Sequence, residues 1–372
     1  MDNPSHSEQK KLAGAQAELW VGTYCGQDEH AIIRLSFDGD GQFTQTAAVT
    51  GVERPSFLAV SKSGQTLYAV EERGGGDGHV ISLTSQPDTG EWTVGKRLST
   101  EGGAPCHLAL DDNERFLFVA NYSGGSVLSY SLEEKGGLSA TLNKVQHEGV
   151  GVRPDRQEGP HPHSVNWDAR TGLLLVPDLG LDVVAAYRLD AGSGRLTRQS
   201  SLPFAPGAGP RHYTAHPTLP VAYVINELDS TVTVLRRTLP DGGFTVAESV
   251  STLPTEGPQP DFNAPADLHL SADGAFLYGS NRGHDSIAVF AVDQDDGRLA
   301  PVQHIPTGGK FPRNFCLSPD GRYLLVANQD SDNIVVFAID RTSGKLTPTG
   351  EEYAVKTPVC LVWAPASGNA SR

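Results

Sequence analysis

Residues 312–328 read PRNFCLSPDGRYLLVAN. Phe315 and Leu317 alternate with other residues, Pro319-Asp320-Gly321 is a tight-turn signal, and residues 323–327 form a second apolar run. Alternation, turn and apolar run read as two antiparallel strands. After Asn328 the polar turn QDSD leads into residues 334–339, a third strand. Thr342-Ser343-Gly344 then leads to Leu346-Thr347, which opens a fourth. Four short antiparallel strands in about 45–50 residues make one propeller blade.

The unit recurs six times, each time from a proline with a short polar side chain sixteen residues on. The pairs are Pro55 and Glu71, Pro105 and Asn121, Pro162 and Asp178, Pro210 and Asn226, Pro265 and Asn281, and Pro312 and Asn328. Successive prolines lie 50, 57, 48, 55 and 47 residues apart. A further start, Pro358, follows 46 residues on, but no second strand comes after it. The missing strands stand at the other end of the chain, in LWVGTY (19–24) and IIRLSF (32–37). The expected fold is therefore all-β: a seven-bladed β-propeller closed by N- and C-terminal strands sharing one blade. The propeller is expected to fill one domain over residues 17–365, with disordered tails at 1–16 and 366–372. Helical spacing is not sustained anywhere, which argues against an α-solenoid.

The 372 residues include 41 glycines, suited to many tight turns, and carry a formal charge of −15. Such an acidic balance argues against a nucleic-acid surface or an anionic membrane. Cys25, Cys106, Cys316 and Cys360 are scattered without a CxxC spacing, so they read as reduced core or channel residues of a cytoplasmic protein. The first residues lack an apolar signal core, and no run reaches the length of a transmembrane helix.

The repeat also maps the chemistry. Positions one and two after each proline, and sixteen or seventeen after it, should share one face near the central channel. One after the prolines stand Cys106, His163, Arg211 and Arg313, and two after stand His107, His212 and Asp267. Seventeen after stand Glu72, Tyr122, Glu227 and Arg282. Three arginines, three histidines and two glutamates thus converge on one mouth. The asparagines at offset sixteen recur too regularly for catalysis and read as turn formers. Glu71 and Asp178 could join a carboxylate cation site. The arginines at the same mouth would repel a cation, so no metal and no cofactor are expected. The longest repeats carry extra loops at 147–161 and 254–264, and Arg153 and Arg156 in the first are candidate anion contacts.

The stretches GPHPHSVNWD, GAGPRHYTAHP, VINELDSTV, ADLHLSADGAFLYGSNR and FPRNFCLSPDGRYLLVAN resemble the propeller-type lactonase family. That family comprises bacterial 6-phosphogluconolactonases of the seven-bladed kind and the related fungal carboxymuconate-lactonising enzymes. The resemblance runs from Val21 to Trp363. It implies a catalytic group of His163 in PHS, Arg211 in PRH, Glu227 in INEL and Arg282 in SNR. Arg313, His212 and His107 are added as substrate contacts by position.

The resemblance implies hydrolysis of a sugar lactone, 6-phosphogluconolactone above all, and the residues point to direct water attack. A carboxymuconate cycloisomerase and a non-catalytic binding platform are the alternatives. His163, with an ordinary histidine pKa, or Glu227 would serve as base, or Glu227 would orient His163. Arg211 and Arg282 would stabilise the oxyanion. No Gly-x-Ser-x-Gly elbow occurs, so a serine nucleophile is not expected. The partner is a small anionic lactone, and the protein is expected to be a cytoplasmic monomer or weak dimer.

Overall fold

The structure is a computed structural model that describes residues 17–86, 89–238, 243–258 and 260–366. Apart from Ala366, the tails expected at 1–16 and 366–372 lie outside the described residues. The first strand starts at Ala17 and the last ends at Trp363.

Seven four-stranded antiparallel sheets stand in a ring. Blade 1 joins the chain ends: Pro358–Trp363 is its innermost strand and pairs with Ala17–Thr23, followed outward by Ile32–Phe37 and Phe43–Val49. Blades 2 to 7 follow in chain order, with innermost strands Leu58–Val60, Pro105–Leu110, Asn166–Asp168, Pro210–Ala215, Ala264–Leu270 and Pro312–Leu317. Among the described residues every element is a strand apart from one short 3-10 turn, Gln329–Ser331. No helix there is long and apolar enough to cross a membrane.

Successive side chains point to opposite faces of a sheet, and consecutive apolar residues therefore give it two apolar faces, so each blade packs against both neighbours. Trp20, Ile32 and Val49 of blade 1 meet Leu67, Ala69 and Ile81 of blade 2. On its other face, Leu19, Val21 and Leu35 meet Leu325, Ala327 and Val336 of blade 7. Second strands are covered on both sides, which explains unbroken apolar runs such as residues 116–120.

The tight turn read from residues 318–321 forms as expected. Gly321 donates its amide to Ser318 O at 2.8 Å and has a φ of +67°, a conformation glycine adopts without strain. Three of the asparagines at offset sixteen brace the turn to the third strand as expected, Asn121 Nδ2 donating to Ser126 Oγ at 3.0 Å, Asn226 Nδ2 to Thr231 Oγ1 at 2.8 Å and Asn281 Nδ2 to Ser286 Oγ at 3.2 Å, but without the left-handed backbone. They are buried at the ends of second strands, and none has a positive φ. Asn121 Nδ2 donates to Thr100 O at 2.7 Å, Asn281 Nδ2 to Thr252 O at 2.9 Å and Asn328 Nδ2 to Thr307 O at 3.3 Å. Each of these latches the crossover arriving from the preceding blade. The left-handed residue comes four positions later, at Gly125, Asp182, Ser230, Asp285 and Asp332.

Glu71 and Asp178 do the same latching work as carboxylates. Glu71 accepts from Glu53 N at 3.0 Å and from Arg97 Nε at 2.8 Å. Asp178 accepts from His161 N at 2.8 Å and bonds His147 Nδ1 at 2.6 Å. Both carboxylates are thus occupied by protein donors.

Candidate active site

The prolines set up the site through a local irregularity. Pro105, Pro210 and Pro312 each pair with the residue sixteen on, and the register then slips by one residue. Such a slip is a β-bulge, which leaves one residue out of the ladder and re-aims its side chain. The bulged residues are Cys106, Arg211 and Arg313. In blade 6 the register also shifts after Pro265, across Ala266 and Asp267. In blade 4 Pro162 and Asp178 form an isolated bridge, and the regular ladder resumes only at Asn166, so His163 lies in an irregular segment.

Glu227 is the hub. Its Oε1 accepts from Arg156 Nη2 at 2.5 Å, and its Oε2 accepts from Arg211 Nε at 3.0 Å and Arg282 Nη2 at 2.8 Å. Three guanidinium groups therefore face one carboxylate. Burial opposes the charge on Glu227, but Arg282, Arg211 and Arg156 outweigh it and hold the carboxyl well below its ordinary range. Burial, together with Arg282 and Arg313, pulls Arg211 down to about 9, which leaves it charged at neutral pH. Arg211 also bonds Ala266 O, and Arg282 donates to Ala264 O at 2.9 Å.

His163 Nε2 stands 3.9 Å from Glu227 Oε2, and its Nδ1 stands 3.7 Å from Cys106 Sγ. Burial, then Arg211, His212 and Arg313, push its pKa well below 6.5. The expectation of an ordinary histidine pKa is thereby corrected: the ring is neutral because it is buried among cations. Burial lifts the Cys106 thiol to about 12, so it stays protonated.

His212 and His107, expected as substrate contacts, stand beside this group, with ring centres 5.7 Å from His163 to His212 and 5.2 Å from His212 to His107. Both ring nitrogens of His212 have protein partners, Nδ1 with Asp267 Oδ1 at 2.8 Å and Nε2 with Arg211 Nη1 at 3.0 Å. His107 stacks on Phe57 with ring centres 3.9 Å apart, and its Nδ1 accepts from Val165 N at 3.4 Å. Arg313 adds its charge to this group but makes no ion pair with Glu227. Its Nη2 lies 3.7 Å from Glu72 Oε2, and its guanidinium lies 5.4 Å from the Tyr24 ring centre. Tyr24 donates its hydroxyl to the same Glu72 oxygen at 3.0 Å.

The family described as lactonase, seven-bladed beta-propeller, matches residues 18–363. The chain belongs to this family. A 6-phosphogluconolactonase of Bacillus subtilis (strain 168) is 34% identical over 297 residues, which cover 80% of this chain and 83% of the relative. A periplasmic gluconolactonase of Pseudomonas aeruginosa is similar in structure, with a TM-score of 0.87 and 33% identity over 94% of this chain and 99% of the other. A protein from Lactobacillus plantarum has a TM-score of 0.86 and 32% identity over 94% and 99% of the two chains.

In this lactonase the four residues implied by resemblance, His163, Arg211, Glu227 and Arg282, stand together. Arg156 joins them from the long loop of blade 4, although its sequence position placed it only as a candidate. That loop is pinned by Gln157, whose Oε1 accepts from Val152 N at 3.1 Å and Arg153 N at 3.0 Å while Nε2 donates to Leu179 O at 2.9 Å. Arg153 instead donates to Leu228 O at 3.3 Å and pairs with Asp155. The partners of Asp267 and Glu72 were not foreseen, although both residues occupy positions marked by the repeat.

Proposed function

We propose that this lactonase hydrolyses an anionic sugar lactone, 6-phosphogluconolactone to 6-phosphogluconate, at the mouth formed by the inner-strand starts. The observation that carries the reading is the set of three arginines on Glu227, beside a neutral imidazole. Their charge exceeds that of Glu227 by two, which suits an anionic substrate and a developing oxyanion. The Bacillus relative's name supports the phosphorylated substrate.

In the proposed reaction a water oxygen attacks the lactone carbonyl carbon and its proton passes to His163 Nε2. Glu227, already held ionised, balances the imidazolium from 3.9 Å. Its three arginine partners make it a poor proton acceptor, which favours His163 as the base. Arg211 and Arg282 stabilise the oxyanion, and Arg156, the more exposed of the three, takes the substrate's own anionic group. Collapse breaks the ring C–O bond, the imidazolium returns its proton to the leaving oxygen, and the new carboxyl group ionises. The step needs no cofactor. We also propose that the protein works in the cytoplasm as a monomer or weak dimer.

The deciding experiment compares hydrolysis of fresh 6-phosphoglucono-δ-lactone with its spontaneous rate, for the wild type and Arg211→Ala. Acceleration by the wild type and a loss of about 10²–10³ in kcat for the variant are expected. No acceleration by a folded protein would remove the phosphorylated substrate. Glucono-δ-lactone, suggested by the Pseudomonas relative's name, would then be tested next.

A further inference from the structure

The Glu227 half of the mouth carries the surplus positive charge, whereas Arg313 and Glu72 face each other as a neutral pair. At 3.7 Å they are too far apart for a hydrogen bond. Among the described residues the Arg313 side chain has no hydrogen-bond partner, and the Glu72 side chain receives only the Tyr24 hydroxyl. Their side chains are 14% and 16% exposed, so neither is sealed in the core. A charged donor and a charged acceptor, side by side and incompletely satisfied, match a hydroxyl group, which both donates and accepts. Tyr24 adds an aromatic wall, with Arg54 on its ring at 4.7 Å.

We propose that Glu72 and Arg313 form a hydroxyl-recognition subsite that holds the sugar ring of the lactone while its anionic group sits on the Glu227 side. The subsite rests on the lactonase reading and assigns the residues that recognise the sugar's hydroxyl groups. Glu72 is its discriminating residue: it accepts a hydroxyl but repels a second anionic group, which directs the substrate's charge towards Arg156.

The test is the ratio of kcat/KM for glucono-δ-lactone to that for δ-valerolactone, a ring of the same size without hydroxyls. The wild type should favour the hydroxylated ring, and Glu72→Gln should lower the ratio by about tenfold or more, chiefly through KM. Arg313→Lys keeps the charge but loses the planar fork, and should lower it as well. An unchanged ratio in both folded variants, or an equal loss on the two substrates, would overturn the subsite. If the wild type accelerates neither of these lactones nor 6-phosphoglucono-δ-lactone, the lactonase reading falls by itself. Calorimetric binding of gluconate then decides the subsite: weaker binding by Glu72→Gln supports it, and equal binding overturns it.

Discussion

Arg211 Nη1 donates to Nε2 of His212, the next residue in the chain, at 3.0 Å. This contact exists because the bulge after Pro210 turns two successive side chains towards each other. The Nδ1–H of His212 is held by Asp267 from the neighbouring blade, so Nε2 is left as the acceptor. Asp267 is itself braced by Asn314 Nδ2 at 2.5 Å and Leu268 N at 3.0 Å. Asp267 and His212 therefore act as positioning residues for Arg211.

Replacing His212 by Phe should lower kcat by about 10–100-fold with a smaller change in KM, because Arg211 loses its support. His212→Gln, which can still accept from Arg211, should recover part of that loss. Steady-state kinetics on the folded variants checks both, and equal kcat in wild type and His212→Phe would refute the positioning role.

Removing the charge of Glu227 should cost stability as well as activity. Glu227→Gln leaves three guanidinium groups facing a neutral amide, and breaking a buried ion network in this way costs about 3–5 kcal/mol. Urea unfolding of wild type and variant measures the difference.

Acid should weaken the fold through its buried histidines. Burial, Arg211 and other neighbours depress His212 from 6.5 to about 4, and burial also depresses His107 and His163. Below pH 6.5 the unfolded chain binds protons that these folded histidines refuse. Stability is therefore highest above that pH and falls as the pH drops towards 4, by up to about 1.4 kcal/mol per pH unit for each histidine. Urea midpoints recorded across this range should decline on acidification, with a shallower decline in His212→Gln.

A second buried ion pair offers a control remote from the catalytic group. Arg237 Nη1 lies 2.7 Å from Asp168 Oδ2 across the joint between blades 4 and 5, with side chains 5% and 3% exposed. Arg237→Ala should destabilise the protein by about 3–5 kcal/mol, since Asp168 is left buried and unpaired. Lactone turnover by the molecules that remain folded should match the wild type at a temperature well below the variant's Tm.

Much of this protein is legible in its sequence because the governing interactions are local and repeated. The apolar alternation specifies which faces are buried, the Pro-Asp-Gly type of turn joins adjacent strands, and the proline-to-polar spacing counts blades. The unpaired start at Pro358 and the strands after Ala17 announce the shared closing blade. Only the tertiary structure decides what the marked residues meet. The bulges at Cys106, Arg211 and Arg313 depend on each strand's contact with its neighbours, and the reach of Arg156 depends on how Gln157 folds its loop. The neutrality of His163 likewise comes from burial and from Arg211, Arg313 and His212, which other blades bring beside it. A repeating pattern encodes the scaffold, but charge, burial and contacts between distant segments are properties of the closed ring.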